Sequence, residues 1–311
     1  MAAPDILCMG EPMLEFNQRA PDAEGRTLYL QGHGGDTSNA AIAAARSGAS
    51  AGYITAVGKD APGEAFLKLW QDEGVDTATV RVNPEAPTGI YFVTHDDRGH
   101  HFTFYRTGSA AARYAPADLP VEALRATKLL HVSGISQAIS PSAADAVFAA
   151  IATVREAGGK VSYDTNLRLP LWPAARAAAV MHAAIAMADI VFPSLDDAEV
   201  LTGLSEPEEI ASFYLELCPV VLLKLGKQGV MVCTRERRER LAGHTVKAVD
   251  ATGAGDTFAG SFLARFVAGD DPFKAARWAN AAAALSTTGY GAVAPIPRAE
   301  AIRALLSTGK A

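Results

Sequence analysis

The segment Asp250-Ala-Thr-Gly-Ala-Gly-Asp-Thr-Phe258 holds the residues best suited to chemistry. A strand-like end runs into a loop of small residues and then into an apolar, helical pattern. Gly253, Ala254 and Gly255 let backbone N–H groups face a ligand with little or no side chain in the way. The helix that follows presents its positive N-terminal end to the same point. Together these form an anion hole suited to a phosphate that carries developing charge. Asp256 stands at that helix start. A carboxylate beside an anion hole can take the proton of an alcohol attacking a phosphoryl group. It can equally be an N-cap that only satisfies the helix end, and the loop alone leaves both readings open.

A second string of small and polar residues lies far upstream, Gly32-His-Gly-Gly-Asp-Thr-Ser-Asn-Ala-Ala-Ile-Ala-Ala-Ala-Arg-Ser-Gly48. Gly34 and Gly35 allow close approach of a polyhydroxylated ligand. Asp36 and Asn39 supply acceptor and donor groups at the start of an Ala-rich helix, where Asp36 could also serve as a cap. Further on, Asp164-Thr-Asn-Leu-Arg-Leu-Pro-Leu-Trp172 ends a strand and places Asn166 and Arg168 on a loop. Arg168 can bind a carboxylate or phosphate bidentately, or form a surface ion pair. Lys224-Leu-Gly-Lys-Gln-Gly229 follows an apolar strand, with Gly226 and Gly229 permitting a tight turn.

These residues need elements to position them. Ile6–Gly10 reads as a short buried strand ending at a glycine. Residues from about 12 to 32 and from about 76 to 106 alternate apolar and polar positions, as in Gly89-Ile-Tyr-Phe-Val-Thr-His and His101-Phe-Thr-Phe-Tyr-Arg106. This period suggests half-exposed strands, and the two blocks could assemble one small sheet. After residue 110, short apolar strands (129–132, 161–164, 190–192, 220–224, 230–233) alternate with helical stretches. That rhythm predicts an α/β fold with a parallel sheet covered on both faces. Ligands of such sheets sit beyond the carboxyl ends of the strands. The charged string Arg235-Glu-Arg-Arg-Glu-Arg240 reads as an exposed turn or edge strand.

Composition excludes several classes. The 311 residues carry a net charge of −6 without a Lys/Arg block, which argues against a nucleic-acid partner. No stretch of roughly 18 uninterrupted apolar residues suggests a membrane span. The N-terminus has no basic region before Arg19, so no secretory signal is expected and a cytoplasmic location is. Cys8, Cys218 and Cys233 are odd in number and scattered, against a disulfide framework or zinc site. A dinucleotide fingerprint would need G-x-G-x-x-G after the first strand, where the chain reads Gly10-Glu-Pro-Met-Leu.

Asp250–Gly260 resembles the C-terminal signature of the PfkB (ribokinase-like) carbohydrate kinase family, and Gly32–Gly48 resembles its N-terminal signature. The two stand in the family's order, and the resemblance runs from about residue 5 to residue 300. It implies one ribokinase-like domain over 1–311: a doubly wound, mostly parallel sheet flanked by helices, with the strand blocks at about 12–32 and 76–106 forming a small β-sheet lid. It implies that Asp256 is the base and that the backbone of 251–255 is the anion hole. It implies that Gly34, Gly35, Asp36 and Asn39 bind substrate. It implies that Asn166, Ser194, Lys224, Gly226, Gly229 and Asn280 line the ATP site.

Phe192-Pro-Ser-Leu-Asp-Asp-Ala-Glu199 occupies the place of the family's Asn-x-x-Glu motif, which positions Mg²⁺ and phosphate through water. Here the pattern reads Ser194-x-x-Asp197, and Asp197 still offers oxygen to Mg²⁺. Parts of the family also use a monovalent cation such as K⁺. Asn166-Leu-Arg168 and Phe104-Tyr-Arg-Thr-Gly-Ser109 resemble the 2-keto-3-deoxygluconate kinases within the family. There, Arg106, Arg168 and a lid tyrosine contact a sugar acid. The lid tyrosine of those enzymes falls at Phe104 here, which leaves Tyr105 and Tyr91 as candidates, Tyr105 on the opposite face of a regular strand. Two arginines suit a carboxylate, whereas the neutral sugar of a fructokinase or ribokinase does not need two; a non-catalytic sugar sensor of the same fold is opposed by the intact Gly253-Ala-Gly-Asp256 string. Pairing of lid strands between subunits would give a homo-oligomer.

Overall fold

The computed structural model describes residues 3–96 and 99–307. Short apolar runs build the larger of two sheets. Its strands are β1 (Ile6–Met9), β4 (Ala51–Gly58), β5 (Val80–Asn83), β8 (Leu129–Ser133), β9 (Lys160–Asp164), β10 (Ile190–Phe192), β11 (Val220–Lys224), β12 (Val230–Cys233) and β13 (Arg238–Leu241). The smaller sheet takes β2 (Met13–Arg19), β3 (Leu28–Gly34), β6 (Gly89–Asp96) and β7 (Gly99–Tyr105).

The large sheet has the order β13-β12-β11-β10-β9-β8-β1-β4-β5. It is parallel from β11 to β5, and at the other edge β12 alone is reversed, pairing antiparallel with both β11 and β13. Alternate side chains feed two cores. Leu7, Leu130, Tyr163 and Val191 face one layer of helices. Ile6, Cys8, Ile190, Phe192 and Leu222 face the other. All three cysteines are buried and unpaired. The chain leaves β1 toward β4 on one side and later returns to β8 on the other. That reversal is the topological switch point at which ligands of doubly wound sheets bind, and Gly10 and Glu11 lie at its edge.

The small sheet has the order β3-β2-β6-β7, with β2 and β6 parallel and the two outer pairs antiparallel. The stretch 76–106 therefore divides. Val80–Asn83, expected in the lid, instead extends the large sheet beside β4. Its physical reason is partnership: β4 is buried along its whole length, and its free edge takes β5 in parallel register. The charged string near residue 235 forms the edge strand β13, where exposed arginines are tolerated. Among the described residues no helix is long and apolar enough to cross a membrane.

Candidate active site

Asp250 fixes the loop before the helix Ala254–Val267. Its Oδ1 accepts from the Thr252 amide at 2.9 Å and the Thr252 hydroxyl at 2.6 Å, and its Oδ2 accepts from the Gly291 amide at 2.9 Å. Gly253 caps the helix with φ 74°, a left-handed conformation suited to glycine. No side chain caps this end. The Ala254 amide donates to the Ala251 carbonyl at 3.2 Å, while the Gly255 amide in the first turn keeps the anion-binding character of a helix N-terminus.

Asp256 is in the first turn, beyond the capping position, which removes the reading of it as an N-cap. Its Oδ2 accepts from Asn39 Nδ2 at 2.8 Å. Asn39 lies on the helix Asp36–Arg46, which packs against the Asp256 helix so closely that a Cβ on Gly260 would stand 2.0 Å from the Ala40 carbonyl oxygen. Burial and the neighbouring Asp36 carboxylate push the Asp256 carboxyl up to about 7, opposed by the Asn39 hydrogen bond and by Lys224. A carboxylate tuned near neutrality can take a proton and release it again at physiological pH.

Asp36 is held from the other side. Asn166 Nδ2 donates to Asp36 Oδ2 at 2.9 Å from a backbone with φ 33°. The loop carrying Asn166 is pinned by Asp197, whose Oδ2 accepts from Thr165 Oγ1 at 2.9 Å and from the Leu167 amide at 3.1 Å. Ser194 caps the helix Leu195–Thr202 by accepting from the Asp197 amide. Asn166, expected at the nucleotide, thus has its amide on the Asp36 carboxylate. Asp197, expected to act on a metal through water, has one oxygen committed to the loop.

Lys224 closes the third side. Its Nζ donates to both oxygens of Asp164 at 2.8 Å and lies 3.4 Å from where a Cβ of Gly255 would stand. Gly226 and Gly229 bound the turn after β11, and a Cβ on Gly229 would meet the Leu241 carbonyl at 2.0 Å. Asn280 is buried and donates to the Ala242 carbonyl at 2.7 Å, so it ties down that strand connection.

The lid closes over these groups. A Cβ on Gly34 would reach to 2.7 Å from the Tyr91 hydroxyl, so glycine lets the ring lie against the strand. Gly35 precedes the Asp36 helix with φ 118°. Tyr91 donates to Glu15 Oε2 at 2.5 Å and packs near Phe104. Tyr105, expected at the substrate, is instead 61% exposed and set edge-on to Phe92 on the opposite face. The reason is the register: Phe104 pairs with Tyr91 and Tyr105 with Ile90, and neighbours along a strand face opposite ways.

Arg106 donates through Nε to Glu11 Oε2 at 2.8 Å and through its terminal nitrogen to the same oxygen. Burial raises the Glu11 carboxyl and Arg106 opposes that rise. The guanidinium expected to be free for a ligand is therefore already partnered. Arg168 is exposed and donates to the Leu167 carbonyl at 2.8 Å.

The family model described as "pfkB family carbohydrate kinase" matches residues 3–299. The chain belongs to this family. It is 34% identical to the 2-dehydro-3-deoxygluconokinase of Thermoproteus tenax over 94% of this chain and 92% of that protein. It is 32% identical to fructokinase-2 of Solanum lycopersicum over 98% of this chain and 96% of that one. A putative ribokinase II from E. coli, solved in complex with ATP and Mg²⁺, superposes with a TM-score of 0.89 at 26% identity, covering 98% of this chain and 99% of that chain. The fold is ribokinase-like, and the protein is a carbohydrate kinase of this family.

The residues fit ATP and Mg²⁺. The helix end without a side-chain cap offers a positive end that would cradle phosphate. Among the described residues no three His, Cys, Asp or Glu side chains are grouped to hold a metal. Mg²⁺ commonly keeps its waters and takes few protein oxygens, and Asp197 and Asp256 would offer such oxygens near a bound triphosphate. Buried Asp36 Oδ1 and Asn39 Oδ1 have no hydrogen-bond partner, and substrate hydroxyls would satisfy them. Sequence reasoning missed Glu11, Glu15 and the role of Asp164 as partner to Lys224. Glu11 and Asp164 share one signal, a carboxylate at the carboxyl end of an apolar strand.

Proposed function

We propose that this kinase phosphorylates the terminal hydroxyl of a sugar acid, 2-keto-3-deoxygluconate, giving 2-keto-3-deoxy-6-phosphogluconate. The observation that carries the kinase chemistry is Asp256, half-buried beside a helix end without a side-chain cap and tuned near neutrality. Asp256 accepts the hydroxyl proton as that oxygen attacks the γ-phosphorus. The Gly255 amide and the positive helix end take the growing charge on the transferring group. Asp36, Asn39 and Asn166 orient the sugar, and the lid excludes water that would otherwise hydrolyse ATP. Bound Mg²⁺ would neutralise phosphate charge.

The acid substrate is supported by Arg106 and Arg168 at the lid base and the 165–168 loop, and by the Thermoproteus relative's name. A specific observation favours a second reading. Glu11 already neutralises Arg106, so a neutral hexose such as fructose would meet less excess positive charge, and the tomato relative is named a fructokinase. A coupled ATP-consumption assay across 2-keto-3-deoxygluconate, its galactose-derived epimer, gluconate, fructose and ribose separates the two. Preference for neutral sugars, unaffected by Arg106→Ala and Arg168→Ala, overturns the acid reading.

The lid also supports self-association. Leu28, Leu30, Phe102 and Phe104 are each at least 45% exposed and lie on one face of the small sheet. A second lid would cover that apolar face. Light scattering of the wild type against Phe102→Asp tests it: a smaller particle for the variant is expected, and an unchanged mass refutes the lid interface.

A further inference from the structure

Lys224 and Asp164 form a pair that ordinary nucleotide binding does not call for. Asp164 is the last residue of β9 and is 3% exposed. Lys224 is the last residue of β11, two strands away, and its side chain is 17% exposed. The ammonium therefore reaches across the end of β10 to meet both carboxylate oxygens at 2.8 Å. Two of its three N–H donors are used there.

The location is unfavourable for a cation on structural grounds alone. Nζ sits against Gly255, in the first turn of a helix whose N-terminus is itself positive. Structural lysines belong at the other end of a helix. Asp164 balances the ammonium while the site is empty, and an arriving phosphate would make the same placement favourable. Fixed charge held where negative charge develops is the arrangement that accelerates phosphoryl transfer.

We propose that Lys224 is a catalytic residue that contacts the transferring phosphoryl group, and that Asp164 is the positioning residue that aims it. This rests on reading the Ala254–Gly255 turn as the anion hole. In the step, the acceptor oxygen forms its bond to the γ-phosphorus as the bond from that phosphorus to the β-bridging oxygen breaks. The electron pair leaves on ADP, and the acceptor's proton passes to Asp256. Lys224 shares the charge of the equatorial oxygens with the backbone amides, and gains or loses no proton.

The full-length protein tests this in two assays. In turnover with whichever sugar of the panel the wild type accepts best, Lys224→Met lowers kcat by about 10²–10³-fold, as removal of one oxyanion donor does, while sugar KM changes less than about threefold. Lys224→Arg, which keeps the charge, recovers part of the loss. Asp164→Asn lowers kcat with sugar KM unchanged, and Asp164→Glu recovers part. In calorimetry with ADP and aluminium fluoride, a mimic of the transferring group, Lys224→Met weakens binding at least about tenfold while its affinity for ADP alone stays within about threefold. That second assay needs no sugar, so a failure of the substrate reading leaves it intact. A Lys224→Met enzyme with wild-type kcat, or one that binds the fluoride complex as tightly as wild type, overturns the proposal. So does loss of activity that tracks a lowered melting temperature in all four variants.

Discussion

Asn39 donates its side-chain amide to Asp256 Oδ2 at 2.8 Å, joining two residues 217 positions apart in the chain. The bond favours the ionised carboxylate and so opposes the rise that burial and Asp36 impose. Asn39→Ala removes it. The Asp256 carboxyl then rises further, and the acidic limb of the pH–rate profile moves to higher pH. At its optimum kcat falls about tenfold, the equivalent of about 1.4 kcal/mol. A pH–kcat profile checks both, and an acidic limb that stays in place refutes the link.

Asp256→Asn separates activity from stability. Its folded-state carboxyl is raised to about 7 from 3.8. A raised carboxyl contributes stability that is full below the unfolded value and is lost as pH rises through the folded one. Above pH 7 the ionised Asp256 therefore costs the fold free energy. The neutral amide avoids that cost and can still accept from Asn39. The variant should lose about 10²–10⁴-fold in kcat yet melt at a higher temperature than wild type at pH 8. The gain should vanish near pH 4. Melting curves at the two pH values decide it.

Arg106→Ala leaves Glu11 buried and without its cation. Removing one partner of such a pair commonly costs roughly 3–5 kcal/mol. We expect a large drop in melting temperature at neutral pH that eases in acid, where Glu11 can protonate. Its raised carboxyl has the same sign as Asp256. Glu11→Gln is gentler: it leaves Arg106 uncompensated and should raise kcat/KM for a sugar acid relative to fructose. Equal changes for both substrates would refute a specificity role.

Gly260→Ala tests the contact between the two site helices. Its Cβ would lie 2.0 Å from the Ala40 carbonyl, backbone that cannot swing aside. The loss should reach the upper end of the roughly 1–3 kcal/mol that overpacking costs, or exceed it. Denaturant unfolding measures it, and a loss below about 0.5 kcal/mol would show that the helices can separate.

Much of this architecture was legible because the pattern repeats. Apolar runs such as Ile190–Phe192, and the Val-Val-Leu-Leu of Val220–Lys224, are buried on both faces, so continuous hydrophobicity betrayed them. Small residues around Asp256 and Gly34 marked both ends of the site. Val80–Asn83 misled because an edge strand of the large sheet alternates like a lid strand; only its partner distinguishes the two. Tyr105 shows the cost of a one-residue offset in a strand. Glu11 and Asp164 were hidden because a buried carboxylate is read from its counter-ion, and Arg106 and Lys224 are distant in sequence.

The close packing of Gly260 on Ala40 also bears on how the molecule comes into being. In a chain emerging from synthesis the Asp36 helix precedes the Asp256 helix by most of the polypeptide. Closing a contact across 217 residues is among the slower kinds of folding event. The Asp36 helix and the Asp256 helix therefore meet late. Recovery of kinase activity during refolding should lag the recovery of helical signal, and a half-made chain holds no machinery for wasting ATP.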